Sequence, residues 1–202
     1  MPQKAAFFYR GGEKCGLTLN FEDVDTSAGP VEATAYLNSY GITLSNVYPN
    51  GPDLEVVIDN WSGPDSYWVD ENMLTQNSYG AQPCSYTMDF STPLQSVSFT
   101  RIATPPNLTT TPVWSATAYV GIETVGSVGE GFGTWGYNSP ANTFTLSGDG
   151  ITSLTIYANG YNFTGIGSPP LDNFVLTPVP EPGTLALLAA GLLAFAWPQR
   201  KR

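Results

Sequence analysis

The chain has 202 residues, enough for one domain of ordinary size with terminal extensions. It contains 17 Asp and Glu residues against 7 Lys and Arg, and its formal net charge is −10 at pH 7. Between Cys15 and Pro180 there are 15 acidic residues and a single cation, Arg101, hence a net charge of −14. Such a surface repels phosphate backbones, which argues against nucleic acid as a partner.

The absence of histidine excludes several kinds of catalytic and metal site. A Ser-His-Asp or Cys-His nucleophile system cannot be built, nor can a His-ligated zinc or iron centre. The two cysteines, Cys15 and Cys84, are too few for a Cys-rich metal cluster. Two alternatives remain for them, a single disulfide in an exported protein or two unrelated buried thiols.

Residues 1–16 form an irregular N-terminal segment. Met1 to Lys14 carries charges but lacks the apolar stretch that a secretory signal needs. If the protein is exported, we expect either a signal upstream of this start or another export route. The alternative is a protein that stays inside the cell.

Residues 17–177 are predicted to form an all-β domain. Short runs rich in Thr, Val, Ile, Tyr and Phe are separated by clusters of Gly, Pro, Asn and Asp, and helical periodicity is almost absent before residue 183. The pattern predicts an antiparallel, two-sheet β-sandwich. The predicted strands are Leu17–Glu22, Gly41–Val47, Leu54–Asp59, Ser85–Phe90, Gln95–Ile102, Val113–Gly121, Asn142–Leu146, Ser153–Ala158 and Asn173–Thr177.

Alternation within two of these runs assigns side chains to faces of the sheet. Val97, Phe99 and Arg101 are expected on one face, and the same alternation recurs in Leu154-Thr155-Ile156-Tyr157. Ser147-Gly148-Asp149-Gly150 predicts a turn, because these residue types tolerate positive φ. The Gly-dense stretch Gly126 to Gly136 predicts a mobile loop, and without a Lys or a following helix it does not predict a phosphate loop.

The C-terminal residues 178–202 have three parts. Pro180-Glu181-Pro182 forms a stiff spacer, Gly183 to Trp197 is an apolar run that predicts a short transmembrane helix, and Arg200-Lys201-Arg202 is a basic end that resists translocation. As a helix, this run would be about 22 Å long against a hydrocarbon core of about 30 Å. Its length therefore favours a transient anchor over a permanent span.

This tail closely resembles the PEP-CTERM sorting signal of exported bacterial proteins. The resemblance rests on Val-Pro-Glu-Pro-Gly, the Leu/Ala repeats and the terminal Arg-Lys-Arg. It implies recognition by an exosortase-type membrane enzyme, with Pro180, Glu181 and Pro182 as the recognition element. It also implies a passage through the inner membrane and transfer to the cell surface or the extracellular matrix.

The body resembles the β-sandwich domains found in front of this signal, which are similar to jelly-roll carbohydrate-binding modules. The matching segments lie at 17–24, 40–46, 90–99 and 171–177. In such modules acidic residues at the first and last strands bind a structural calcium ion, and the resemblance carries this role to Glu22, Asp23 and Asp172. Calcium requires six to eight oxygen ligands. The alternative is that these acids cap turns and face solvent.

A second cluster has the composition of a glycan site. Trp61, Tyr67 and Trp68 offer flat rings that stack on sugar C–H groups, and Asp65 could bond hydroxyls. The same rings could instead fill the sandwich core. Glycoside hydrolysis needs only two carboxylates, and Glu55/Asp59 or Asp70/Glu71 are pairs in sequence, but nothing in the sequence marks one of them as a buried acid.

We therefore predict no catalytic residues and an exported, non-enzymatic module of the bacterial envelope that binds extracellular polysaccharide or has a structural role. The alternative is a carbohydrate-active hydrolase on a jelly-roll scaffold. A buried carboxylate pair in a cleft would favour the hydrolase. An aromatic strip facing solvent would favour binding, and neither feature would favour a purely structural role.

Overall fold

A computed structural model describes residues 9–10, 13–14, 16–49, 51, 54–60, 71–76, 83–103, 113–131, 139–159 and 168–180. Its elements in chain order are β1 (Tyr9–Arg10), β2 (Glu13–Lys14), β3 (Leu17–Leu19), β4 (Val31–Glu32), α1 (Thr34–Ser39), β5 (Ile42–Tyr48), β6 (Val56–Asp59), β7 (Met73–Gln76), β8 (Cys84–Arg101), β9 (Trp114–Val120), β10 (Glu123–Glu130), β11 (Asn142–Ala158) and β12 (Leu171–Pro178).

The strand pairing is antiparallel throughout these residues. β1 and β2 form a separate two-stranded sheet, and the other strands follow the order β10-β9-β11-β8-β12-β7-β6-β4. Off this path, β3 pairs with β12 and β5 pairs with β8. The predicted all-β, antiparallel fold is therefore confirmed.

Two long strands, β8 and β11, divide this sheet into two layers. In the first layer, residues 84–90 of β8 lie between β5 and residues 153–158 of β11, and β9 and β10 continue the layer beyond β11. In the second layer, residues 94–101 of β8 lie between residues 142–151 of β11 and β12. Register shifts in β11 between Ser147 and Ser153 mark the boundary.

Ring contacts show that the two layers face each other. Trp114 is in register with Ala158 at the end of β11, and Phe144 lies fourteen residues earlier on that strand. In a straight strand this separation would be about 46 Å. The ring centroids of Trp114 and Phe144 are nevertheless 5.2 Å apart, so the sheet folds over on itself as a sandwich.

The core between the layers is aromatic at its centre. Phe99 packs against Trp114, Phe144 and Phe174 with centroid distances of 6.3, 5.9 and 5.6 Å. Val97, Phe99 and Arg101 point to this interior, as their alternation predicted. A core of this kind forms when the inward-facing side chains of both layers are removed from water.

A buried ion pair crosses between the layers beside this aromatic cluster. The Arg101 side chain is 2% exposed and donates from Nε and Nη2 to the two carboxylate oxygens of Glu130, each at 2.8 Å. Trp114 Nε1 and Asn142 Nδ2 also donate to this carboxylate, at 3.0 and 3.1 Å. Burial alone would raise the pKa of Glu130, but the hydrogen bonds from Arg101 and Asn142 hold it below its ordinary value.

In two places the structure has one continuous strand where two separate strands were predicted. Ser85–Phe90 and Gln95–Ile102 both belong to β8, and Asn142–Leu146 and Ser153–Ala158 both belong to β11. The turn predicted at Ser147-Gly148-Asp149-Gly150 is therefore wrong, since these residues form the irregular bend of β11. Glycine allows this bend, because Gly150 has φ +88°.

The mobile loop predicted for Gly126 to Gly136 is wrong over its first five residues, which lie in β10. A Cβ at Gly129 would overlap the carbonyl oxygen of Trp114 and lie 2.9 Å from Ser115 Cα, so glycine is required for close pairing with β9. Residues 132–138 lie outside the described part of the chain. The sequence analysis also missed β1, β2, β4, β7, β10 and α1.

Candidate functional site

The outer surface of the first layer is lined with hydroxyl-bearing side chains, and we call it the hydroxyl face. Strand register arranges these residues in three rows across β5, β8, β11, β9 and β10. The first row is Tyr48, Ser85, Tyr157 and Ser115; the second is Ser45, Thr87, Thr155, Thr117 and Ser127; the third is Thr43, Asp89, Ser153, Tyr119 and Thr124.

Two tyrosines of the first row project into solvent. Tyr48 is 57% exposed and Tyr157 is 45% exposed. Both are in register with Ser85, so two strand spacings separate them, about 10 Å. A ring that is open to solvent on a sheet face can stack on an apolar ligand surface while its hydroxyl stays wet.

The hydroxyl groups of the second row are bonded to neighbouring side chains of the face. Thr87 and Thr155 share a hydrogen bond of 2.9 Å, and Thr117 and Ser127 share one of 3.0 Å. The Ser45 hydroxyl donates to the carboxylate of Asp89. These contacts fix the side-chain rotamers across neighbouring strands, so the polar surface is arranged before any ligand meets it.

An acidic cluster lies on the second layer, centred on Asp172 near the start of β12. The Asp172 side chain is 2% exposed, and its Oδ1 atom has no hydrogen-bond partner. Oδ2 accepts a hydrogen bond of 2.9 Å from Asn173 Nδ2. Burial, with a smaller contribution from the negative charges of Glu22 and Glu71, raises the pKa of Asp172 to about 7.

Asn72 holds the chain around this cluster in place. Its side-chain amide donates to the carbonyl oxygens of Phe21 and Val24, at 2.9 and 2.8 Å, and its Oδ1 accepts from Thr26. Its backbone N–H donates to Glu22 Oε1 at 3.1 Å. The start of β7 is thereby tied to the connection between β3 and β4, which brings Glu71 and Glu22 to the same place.

The structure places two of the three predicted calcium ligands, Glu22 and Asp172, within electrostatic reach of each other, and the charge of Glu71 also acts on Asp172. The third, Asp23, accepts a hydrogen bond of 2.9 Å from the Tyr36 hydroxyl on α1. Calcium binding by these residues stays a prediction. Within the described ranges, no three Asp, Glu or Cys side chains are close enough to form a ready-made metal site. The unpaired, buried oxygen of Asp172 is nevertheless the kind of group that a cation satisfies.

The predicted glycan residues Trp61, Asp65, Tyr67 and Trp68 lie outside the described residues, so their role stays a prediction. Cys15 also lies outside them. Cys84 is buried with a free thiol, and burial raises its pKa to about 12. Because Cys15 is not among the described residues, the choice between a disulfide and two unrelated thiols stays a prediction.

The end of the chain carries a known sorting signal. Residues 178–201 match the PEP-CTERM protein-sorting motif. The motif implies export and processing by an exosortase, a membrane enzyme. Of the parts that the structure describes, no helix is long and apolar enough to cross a membrane. The predicted span from Gly183 to Trp197, with Glu181, Pro182 and the basic end, lies outside those parts.

Several solved structures can be aligned with the body at low identity and with low TM-scores. A Stig cyclase from Fischerella sp. TAU has 11% identity and a TM-score of 0.48, covering 81% of this chain and 99% of its own. The K3 adhesin domain of Lys-gingipain from Porphyromonas gingivalis has 10% identity and a TM-score of 0.47, covering 80% and 98%. The mannan-recognising carbohydrate-binding module TmCBM27 has 14% identity and a TM-score of 0.40, covering 73% and 94%.

These similarities assign no function, since the shapes differ as well as the sequences. A comparison with curated protein sequences finds no match.

Sequence reasoning missed the hydroxyl face and Glu71. Alternation in Leu154-Thr155-Ile156-Tyr157 already pointed Thr155 and Tyr157 away from the core. Tyr48, however, joins them only through the register of β5 on β8. A bulge at Asn46, which has φ +50°, shifts that register by one residue.

Proposed function

We propose that this protein is a non-enzymatic, polysaccharide-associated module of the cell surface or extracellular matrix, and that the hydroxyl face is its binding surface. The observation that supports the proposal is the solvent-facing pair Tyr48 and Tyr157 within a field of Ser and Thr hydroxyls. Sugars are recognised by such a combination, because ring C–H groups stack on aromatic faces while sugar hydroxyls exchange hydrogen bonds with polar groups.

The geometry also gives the ligand a direction. Tyr48 and Tyr157 lie in one row across the strands, about 10 Å apart. An extended glycan chain laid across β5, β8 and β11 would place two of its sugar rings over the two tyrosines. The intervening Ser85 has no bulky side chain to block this path.

The proposal is tested by binding of the purified body to a panel of polysaccharides and to glycan arrays. We expect Tyr48→Ala and Tyr157→Ala each to weaken binding by about 1–2 kcal/mol, roughly 5- to 30-fold, because each removes a stacking ring. Tyr157→Phe keeps the ring and should keep most of the affinity. Thr145→Ala on the second layer is a control for folding. An intact, folded body that binds no glycan in the panel would contradict the proposal.

The hydrolase alternative has one supporting observation, which is the raised pKa of Asp172. A general acid in a glycosidase needs such a pKa. Asp172 is only 2% exposed, however, so a glycosidic oxygen would not reach its carboxyl group without movement of the surrounding chain. Release of reducing ends from a polysaccharide, lost in Asp172→Asn, would favour the hydrolase.

We further propose that the acidic cluster binds a calcium ion that stabilises the fold. Asp172, Glu22 and Glu71 are the carboxylates that would hold it, with Asp172 Oδ1 as the buried ligand. Bound calcium would compensate the repulsion among these three groups. In this proposal Glu71 takes the place that the sequence analysis gave to Asp23, whose Oδ1 accepts a hydrogen bond from the Tyr36 hydroxyl.

Thermal unfolding with added calcium and with EDTA tests whether the acidic cluster binds calcium. We expect the midpoint to fall by several degrees in EDTA for the native chain and to be unchanged in Asp172→Asn. Asp23→Asn should keep the full calcium effect. Equal midpoints of the native chain in both conditions would contradict calcium binding.

A further inference from the structure

At one end of the sandwich, which we call the bend end, β8 and β11 pass from one layer to the other. The bend end comprises Pro93, Gly150, Gly121–Ile122 and Val179. Leu94 is in register with Ile151 on one side and with Pro178 on the other. The N–H of Gly121, at the tip of the β9–β10 hairpin, donates to Thr152 Oγ1 at 2.9 Å. These residues therefore form one contiguous end.

The sorting motif leaves the body at this end with only a three-residue spacer before the apolar run. It begins at residue 178, and Pro178 is a buried residue of β12. The N–H of Val179 donates to the carbonyl of Pro93 at 3.0 Å. Beyond the end of β12, the chain becomes exposed at Pro180. Only residues 180–182 separate the sandwich from the apolar run that starts at Gly183, a reach of about 10 Å.

The same end carries the most exposed apolar side chain of the described residues. Ile122 is 92% exposed at the hairpin tip. Val125 is also exposed and lies beside the bend of β11, where a Cβ on Gly148 would be 3.1 Å from its Cγ2 atom. An isoleucine that packs on nothing at the tip of a short hairpin is suited to insertion into an apolar medium.

We propose that the bend end lies against the lipid bilayer while the tail is inserted, with Ile122 entering the membrane interface. The short reach between Val179 and Gly183 supports the bilayer as the occupant, because an inserted tail leaves the body no room to stand away from it. Glu123 and Asp149 flank the contact and would repel anionic headgroups, so zwitterionic lipid is the better surface. Tyr48 and Tyr157 lie at the opposite end of the first layer, away from the membrane.

Fluorescence quenching in vesicles tests this orientation. The full chain carrying Cys15→Ser is reconstituted in phosphatidylcholine vesicles that contain a lipid-attached quencher. An environment-sensitive probe is placed at Ile122→Cys and, as a control at the opposite end, at Asn159→Cys. We expect at least twofold stronger quenching at position 122 than at 159, and weaker quenching at 122 in phosphatidylglycerol vesicles. Buried Cys84 is not labelled in the folded protein.

A spacer variant gives a second, independent readout. Ten Gly and Ser residues inserted between Val179 and Pro180 should reduce quenching at position 122 to the level at 159, while quenching of a probe placed at Trp197→Cys in the tail is unchanged. Equal quenching at positions 122 and 159 without the spacer would overturn the proposal. So would a signal at 122 that the spacer leaves unaltered, or the absence of quenching at 197, which would show that the tail does not insert.

Discussion

At the scale of single residues, Arg101 shows how one buried charge ties the two layers together. Its bidentate contact with Glu130 joins β8 of the second layer to β10 of the first. The Nη1 atom also donates to the carbonyls of Ile102 and Pro140, at 2.8 and 2.9 Å. The pair is fully bonded, so removing one partner leaves the other buried without its counter-charge.

We therefore expect Arg101→Met to destabilise the protein by about 3–5 kcal/mol, because Glu130 would remain buried and unpaired. The double variant Arg101→Met/Glu130→Gln should recover a large part of this loss, since it removes both charges. Urea unfolding of the three proteins measures the difference. A single variant as stable as the native chain would show that the pair contributes little.

The raised pKa of Asp172 predicts that the stability of the fold falls as pH rises. A carboxylate with a lowered pKa has the opposite effect. Its pKa in the folded protein is about 7, against an ordinary value of 3.8. The folded state therefore holds a proton that the unfolded chain releases at lower pH. The stability that this group contributes is fully present below about pH 4 and is lost as pH rises through about 7.

In EDTA, Asp172→Asn should remove this loss and be more stable than the native chain at pH 8, by a margin on the order of 2–4 kcal/mol. At pH 4 the two proteins should have similar stability. Chemical denaturation across this pH range makes the comparison. Parallel curves for the two proteins would contradict the assignment to Asp172.

At the scale of elements, β10 depends on a glycine that sequence patterning assigns to a loop. Gly129 lies where any Cβ would meet the backbone of Trp114 and Ser115, which cannot move without opening the β9–β10 pair. We expect Gly129→Ala to cost at least about 1–3 kcal/mol through this overlap. Gly126→Ala is the matched control on the same strand, because its Cβ would meet only the mobile end of Leu146, at 3.0 Å.

Thermal unfolding measures both glycine variants, and Gly129→Ala should lower the midpoint several degrees more than Gly126→Ala. The same outcome for both would indicate that β10 shifts away from β9 at little cost. This element shows why the sequence pattern failed: a Gly-dense stretch is typical of a loop, and only the close approach of a neighbouring strand makes glycine favourable in a sheet.

At the scale of the whole molecule, the proposed binding surface and the sorting motif lie at different ends of the body. The tyrosines of the hydroxyl face lie at one end of the first layer, and the sorting motif leaves from the other. The anionic body has its single mid-chain cation, Arg101, buried inside. The acidic side chains on most of the described surface therefore have no nearby cation to offset their charge. This negative charge favours neutral ligands over anionic ones.

The sequence by itself determined the fold class, the sorting signal and the inward face of β8. Each depends on local information: strand periodicity, a contiguous motif, or alternation within one run. The strands that were predicted mostly begin and end within one or two residues of observed strands, but β1, β2, β4, β7 and β10 were missed. Breaks were placed in β8 and β11 because Gly, Pro and Ser are ambiguous between a turn and a bend.

Only the tertiary structure decided which residues meet. Glu71 lies near Glu22 and Asp172 because Asn72 binds the β3–β4 connection, fifty residues away in sequence. Tyr48 lies in the same row as Tyr157 because a bulge sets the register of β5. Arg101 contacts Glu130 because β8 and β11 fold the sheet over. Pairings of this kind depend on long-range register and layer packing, and no local pattern encodes them.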